Sequence, residues 1–150
     1  MKLEVLGCYG NVTKRCRSTA FLINDHMLFD AGTVTEVLPT DRLKRISHVC
    51  LSHIHMDHVK GLCSLAEEFS MLEDKHVTVL ADERVIDALS KQVFNNCLWP
   101  DFTAIPDKEK GVVQLLRADP LGYTSVGNLS VKPIPVHHRI STTGFGRTKD

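Results

Sequence analysis

No apolar run among the 150 residues approaches the roughly 18 needed to cross a bilayer. Nor is either sign of charge in excess: 18 Lys and Arg balance 18 Asp and Glu. A strong, sequence-independent grip on nucleic acid needs a basic face, so that class of function is disfavoured. A small anionic ligand is not excluded, because a bound cation supplies its own local charge. The five cysteines (8, 16, 50, 63 and 97) are odd in number and form no CxxC pair. A disulfide framework and a structural zinc finger are therefore both unexpected. Cys50, in an apolar stretch, reads as a small core residue. No HExxH zinc helix, internal repeat or dividing linker is present, and the length suits one domain. The opening "MKLEVLGC" resembles a lipoprotein cleavage site, but Glu4 interrupts it and the apolar h-region is missing. It reads as a first β-strand, and a cytoplasmic location is the default expectation.

What the chain does contain is alternation. "KLEVLGCYG" predicts a strand ending at Gly7 and Gly10. "AFLIN" and "DHMLFDAGT" predict a hairpin turning at Asn24-Asp25, whose second strand ends at Asp30-Ala31-Gly32. An acid followed by small residues at a strand end marks a backbone that passes close to something. "TEVLPTDRLKRI" predicts a helix or two short turns, limited by Pro39, and "SHVCLSH" a short buried strand. "VKGLCSLAEEF" places Leu62, Leu65, Ala66 and Phe69 at helical spacing. A strand "HVTVLAD", a helix "DERVIDALSKQVF" and an aromatic loop "NNCLWPDFTAIPD" follow. "VVQLLRAD" and "LSVKPIPVHH" predict two more strands, joined by "PLGYTSVGN". This order indicates a layered α/β protein.

The chemistry concentrates in "LSHIHMDHVKGL". His53, His55, Asp57 and His58 put four metal-ligand types within six positions, between a strand and a helix. Ligands of α/β sheets commonly sit at such carboxyl strand ends. Solvated surface histidines would not require this crowding. One metal held by all four is conceivable. Two adjacent metals, one on His53/His55 and one on Asp57/His58, use the spacing better.

This motif resembles the HxHxDH signature of the metallo-β-lactamase superfamily. Within it, the chain is similar to the bacterial 3′,5′-cyclic-nucleotide phosphodiesterase-like branch. "MKLEVLGCYG", "STAFLIN", "VFNNCLWPDFTAIP" and "VKPIPVHHRISTTGF" carry that likeness across nearly the whole chain. The resemblance implies an α/β metallo-β-lactamase-type αββα sandwich. It implies two divalent metal ions, usually zinc, with manganese or iron as alternatives. Asp30, in "FDAGT", would orient the metal loop and a ligand histidine. The later histidine of the pattern fits His138 better than its neighbour His137, which would stand beside the ligands or face substrate. His53, His55 and His138 would hold one ion, and Asp57 and His58 the other. The implied reaction is hydrolysis of a phosphodiester, such as a cyclic nucleotide, by a metal-bound hydroxide, with no separate protein base.

Two ligands of the two-metal pattern are missing: a bridging Asp in a "GD" context and a last His. Asp150 is the only later acid, and "RTKD" does not match. The expectation is that residues 1–150 form the N-terminal part of a longer domain, so that this part alone binds metal weakly or at one site. Other hydrolases use the same scaffold, including tRNA 3′-processing nucleases and thioester or lactone hydrolases, and a non-catalytic metal-binding protein is a further alternative. A nuclease should show a basic arm, and none is visible. Trp99 is a candidate for stacking on a base or, more simply, for anchoring its loop. Lys14, Arg15 and Arg17 could approach a phosphate. Ser141, Thr142 and Thr143 could line the pocket or serve strand-start hydrogen bonds. A homodimer is the default assembly.

Overall fold

The computed structural model describes residues 1–127 and 129–147, so Asp150 lies outside the described residues. The chain opens with three antiparallel strands, β1 (Leu3–Gly7), β2 (Ala20–Ile23) and β3 (Met27–Phe29). The β2–β3 turn places Asn24 and Asp25 at positive φ, which these two residue types tolerate. The predicted hairpin therefore forms at the predicted turn.

From β3 onward the sheet is parallel. The strands β4 (His48–Cys50), β5 (Val77–Ala81) and β6 (Val113–Arg117) add in order, giving a six-stranded sheet β1-β2-β3-β4-β5-β6. Parallel strands need crossovers, and each of the three contains a helix. The short α1 (Thr40–Leu43), begun at Pro39, leads into β4. The long α2 (Met56–Ser70) joins β4 to β5. After β5, α3 (Glu83–Ala88) passes into a π-helical turn, Leu89–Val93, closed by the Phe94 N–H donating to the Leu89 carbonyl.

Val59, Leu62, Cys63, Ala66 and Phe69 recur along α2 at helical spacing and are buried, so one face of this helix seals one face of the sheet. Each such aliphatic or aromatic side chain contributes on the order of 1.5–3 kcal/mol by leaving water.

The opposite face carries a second layer. A three-stranded antiparallel sheet, β7 (Thr124–Val126), β8 (Leu129–Val136) and β9 (Thr142–Arg147), runs in the order β7-β8-β9. Leu129, Val131 and Val126 pack on Met27, Cys50 and Leu80 of the large sheet, so Cys50 is a core residue between the two sheets. Among the described residues the layers are helix, sheet, sheet.

Two expectations change. α2 begins at Met56, inside the histidine motif rather than after it, so Asp57 and His58 occupy its first turn. β7 falls within a segment expected to be a connection, and it forms by pairing with β8. The described segment after His138 contains β9.

Candidate metal centre

The six-stranded sheet ends in a cluster of imidazoles. His53 follows β4, and His55 is the residue from which α2 starts. Nε2 of His53 lies 3.1 Å from Nδ1 of His55, so two ring nitrogens converge on one point. His138, on the turn between β8 and β9, joins them. Its ring centroid is 5.0 Å from that of His53 and 5.4 Å from that of His55. One nitrogen from each of the three rings can be chosen so that all lie within 4.8 Å of one another. Of the two adjacent candidates, His138 is the one in this cluster, and His137 is exposed.

Asp30 organises the floor. It is 1% exposed and adopts a left-handed backbone, φ 56°. One carboxylate oxygen accepts the Ser52 N–H at 2.8 Å. The other accepts the Ser52 hydroxyl at 2.8 Å and His58 Nδ1–H at 2.7 Å. The single hydroxyl proton of Ser52 is spent on Asp30, so its oxygen accepts from His53 Nδ1–H at 2.9 Å. One buried carboxylate thus fixes the tautomer of two histidines, His58 directly and His53 through Ser52, and leaves Nε2 of each ring free for a metal. Nε2 of His58 stands 3.4 Å from Asp57 Oδ2. The donor set and its orientation fit divalent ions: three imidazoles at one point, an imidazole with a carboxylate at the other.

The two anchored histidines titrate in opposite directions. Burial, then the charge of His58, holds His53 down to about 4 despite Asp30. Burial also opposes the charge of His58, but the hydrogen bond and charge of Asp30, with Asp57, outweigh it and raise its pKa. Burial, with the Asp30 charge, pushes the Cys50 thiol up to about 12, in keeping with its place in the core between the two sheets.

A pH prediction follows for the metal-free chain. An unfolded histidine titrates near 6.5. His53 therefore adds stability above pH 6.5 that is lost as pH falls toward 4, with roughly 3 kcal/mol as the upper bound. His58 has the opposite sign, stabilising below pH 6.5 and losing that contribution as pH rises through its raised value. Urea denaturation of His53→Gln should show a flatter decline between pH 6.5 and 4 than the parent. An unchanged slope would refute the assignment.

Other expected residues sit as follows. The loop carrying Lys14, Arg15 and Arg17 is exposed and borders Asp57: a Cβ on Gly10 would lie 3.6 Å from Asp57 Oδ2. Trp99 packs against the helix-side core, which includes Phe94 and Phe102, so its ring anchors the 95–103 loop. Ser141 donates to Asp82, Thr142 to the Ile140 carbonyl, and the Thr143 N–H to the Ser52 carbonyl. Ser141 and Thr142 also border a cleft of about 490 Å³ with Arg84, Arg117, Pro133 and Pro135. Ser52 and Asp82 were not singled out by sequence. Each is one polar residue just past a buried strand, and that position is the signal both share.

Residues 37–144 match the family model for class-II cAMP phosphodiesterases. The chain belongs to that family. Over 96 residues it is 35% identical to a 3′,5′-cyclic-nucleotide phosphodiesterase of Schizosaccharomyces pombe, covering 63% of this chain and 26% of that protein. A ribonuclease Z of Phocaeicola vulgatus is 26% identical over 153 residues, 96% of this chain and 47% of that one. The chain thus spans between a quarter and a half of the curated relatives it matches. Its fold is that of the metallo-β-lactamase proteins. The metallo-β-lactamase fold protein YhfI of Bacillus subtilis superposes with a TM-score of 0.72 at 16% identity, over 97% of this chain and 57% of that one. Unliganded yeast PDE1 gives 0.75 at 17%, over 97% and 59%. Among the described residues, no helix is long and apolar enough to cross a membrane.

Proposed function

We propose that this chain carries the metal-binding half of a phosphodiesterase site that hydrolyses a 3′,5′-cyclic nucleotide. The observation that carries this reading is the convergence of His53, His55 and His138 beside Asp57 and His58, with Asp30 fixing the free nitrogens, in a member of the class-II cAMP phosphodiesterase family. His53, His55 and His138 hold one divalent ion, and Asp57 and His58 ligate a second, with zinc foremost and manganese or iron as alternatives. Bound there, divalent ions supply a Lewis acid for a phosphoryl oxygen and lower the pKa of water to about 7.

The chain's own groups do the rest. Asp30 and Ser52 hold the His53 and His58 protons on Nδ1, so that Nε2 stays a lone-pair donor. The exposed Lys14, Arg15 and Arg17, on the loop whose Gly10 lies near Asp57, offer cations to an anionic diester. The cleft beside the His138 turn has the volume for a nucleoside, within the usual range of about 300–1,000 Å³ for small-molecule sites.

A second reading, a tRNA 3′-processing nuclease, is favoured by the ribonuclease Z alignment over 96% of the chain. The balanced charge of residues 1–150 speaks for the smaller substrate.

The test offers the zinc- or manganese-loaded full-length protein cyclic AMP, bis(p-nitrophenyl) phosphate and a tRNA precursor in parallel. Turnover of cyclic AMP that a chelator abolishes is the expected result. Cleavage of the tRNA precursor alone would overturn the cyclic-nucleotide reading and select the nuclease.

A further inference from the structure

His138 is the least supported of the three clustered histidines. It is exposed, on the turn between β8 and β9, and its neighbours His137 and Arg139 are exposed too. A ligand trio works only if all three rings keep their geometry, yet packing does not hold this one. Polar contacts at the start of β9 do. The Thr143 N–H donates to the Ser52 carbonyl at 2.9 Å, which ties the base of the hairpin to the residue before His53. Two residues nearer His138, the Ser141 hydroxyl donates to Asp82 Oδ2 at 2.6 Å, and the Thr143 hydroxyl reaches the same oxygen at 3.4 Å. The other oxygen of Asp82 caps α3, accepting the Val85 N–H at 2.9 Å.

Asp82 follows β5 and His53 follows β4, and these two strands are parallel neighbours. The Leu51 N–H donates to the Leu80 carbonyl, which carries their pairing to the edge where both residues stand. A carboxylate fixed to the end of one strand therefore grips the hairpin that brings His138 to a ligand pair fixed at the end of the next.

We propose that Asp82 and Ser141 form a positioning clamp that sets His138 over the His53/His55 pair. The clamp rests on the reading of these three histidines as ligands of one ion. Asp82 is a positioning residue for the metal site: it acts on His138 through Ser141 and the turn. Its second duty, as the α3 cap, separates cleanly from the first. Serine caps a helix about as well as aspartate, but it has no second oxygen for Ser141.

The test is a zinc titration of the full chain against a chromophoric chelator. The variants are Ser141→Ala, Asp82→Ser, His138→Ala and the double variant Ser141→Ala/His138→Ala, each with its thermal midpoint measured. His138→Ala should lose zinc affinity strongly. Ser141→Ala and Asp82→Ser should each weaken it about 10–100-fold, the usual cost of removing a group that orients a ligand, at a midpoint close to the parent's. In the His138→Ala background, Ser141→Ala should add no further loss, because the two act as one unit. Unchanged zinc affinity in Ser141→Ala, or an equal loss in both backgrounds, would overturn the clamp. Unchanged affinity in His138→Ala would instead overturn the three-histidine reading, and the clamp with it.

Discussion

Asp30→Ala is expected to cost about 3–5 kcal/mol of stability, the range for removing one partner from a buried charged network. Asp30 accepts three hydrogen bonds, from the Ser52 N–H, the Ser52 hydroxyl and His58 Nδ1–H. Ser52 is buried and His58 half-buried, so alanine leaves three polar groups to be resatisfied at about 1–3 kcal/mol each. Water entering the space vacated by the carboxylate offsets part of that sum. Alanine also tolerates the left-handed backbone of this position less well than aspartate. The midpoint of urea denaturation measures the loss.

Asp30→Asn separates stability from function. Its oxygen can still accept the Ser52 N–H, so the fold survives. Its amide nitrogen is a donor, however, and now faces His58 Nδ1. The imidazole must accept there and carry its proton on Nε2, the nitrogen a metal needs. Metal affinity at the Asp57/His58 position should fall about 10–100-fold while the chain remains folded. Parent-like zinc or manganese binding by Asp30→Asn would refute the tautomer argument, and a parent-like urea midpoint for Asp30→Ala would refute the network.

How much of this is legible in the sequence depends on how far apart the partners are. The β2–β3 hairpin was legible because Asn24 and Asp25 tolerate positive φ and the flanking residues alternate. The His53–His58 motif was legible because its donors are adjacent in sequence. β7 was not: three residues between glycines have no pattern of their own and become a strand only against β8. The start of α2 was misplaced because its first turn, Met56–His58, carries ligands rather than the apolar stripe. Ser52 and Asp82 escaped notice for another reason. The partner of Ser52 lies 22 positions away and that of Asp82 59 positions away, so neither signature is local. Their roles follow from the sheet, which brings the ends of β3, β4 and β5 to one edge.

The small residues after Asp30 carry the other large effect. Gly32→Ala should disable the site through its backbone alone. A Cβ on Gly32 would stand 1.9 Å from the Asp57 carbonyl oxygen, 2.6 Å from Ser18 Cβ and 2.8 Å from the Thr19 carbonyl oxygen. No rotamer relieves this, since two of the three neighbours are main chain. The segment is also stitched in place: the Ala31 N–H donates to the His58 carbonyl at 2.8 Å, the Gly32 N–H to Thr19 at 2.8 Å, and the Gly61 N–H to Ala31 at 2.7 Å. Gly61 makes the approach possible from the helix side, its Cβ position being 2.6 Å from the Ala31 carbonyl oxygen. The strand end after Asp30 thus runs directly beneath the first turns of α2, and two glycines let it.

A methyl at position 32 must push α2 away from the floor, taking Asp57 and His58 with it. Overpacking of this kind costs about 1–3 kcal/mol, and more where backbone must move. The larger loss should be in metal binding, because a shift of about 1 Å breaks the alignment of Asp57 and His58 with the Asp30 network. Gly10→Ala serves as the comparison, since a Cβ there meets only Asp57 Oδ2, at an ordinary 3.6 Å. Zinc titration and urea denaturation of the two variants should therefore diverge, Gly32→Ala losing both affinity and stability and Gly10→Ala keeping both near the parent. A Gly32→Ala chain with parent affinity and stability would show that α2 does not rest on this segment.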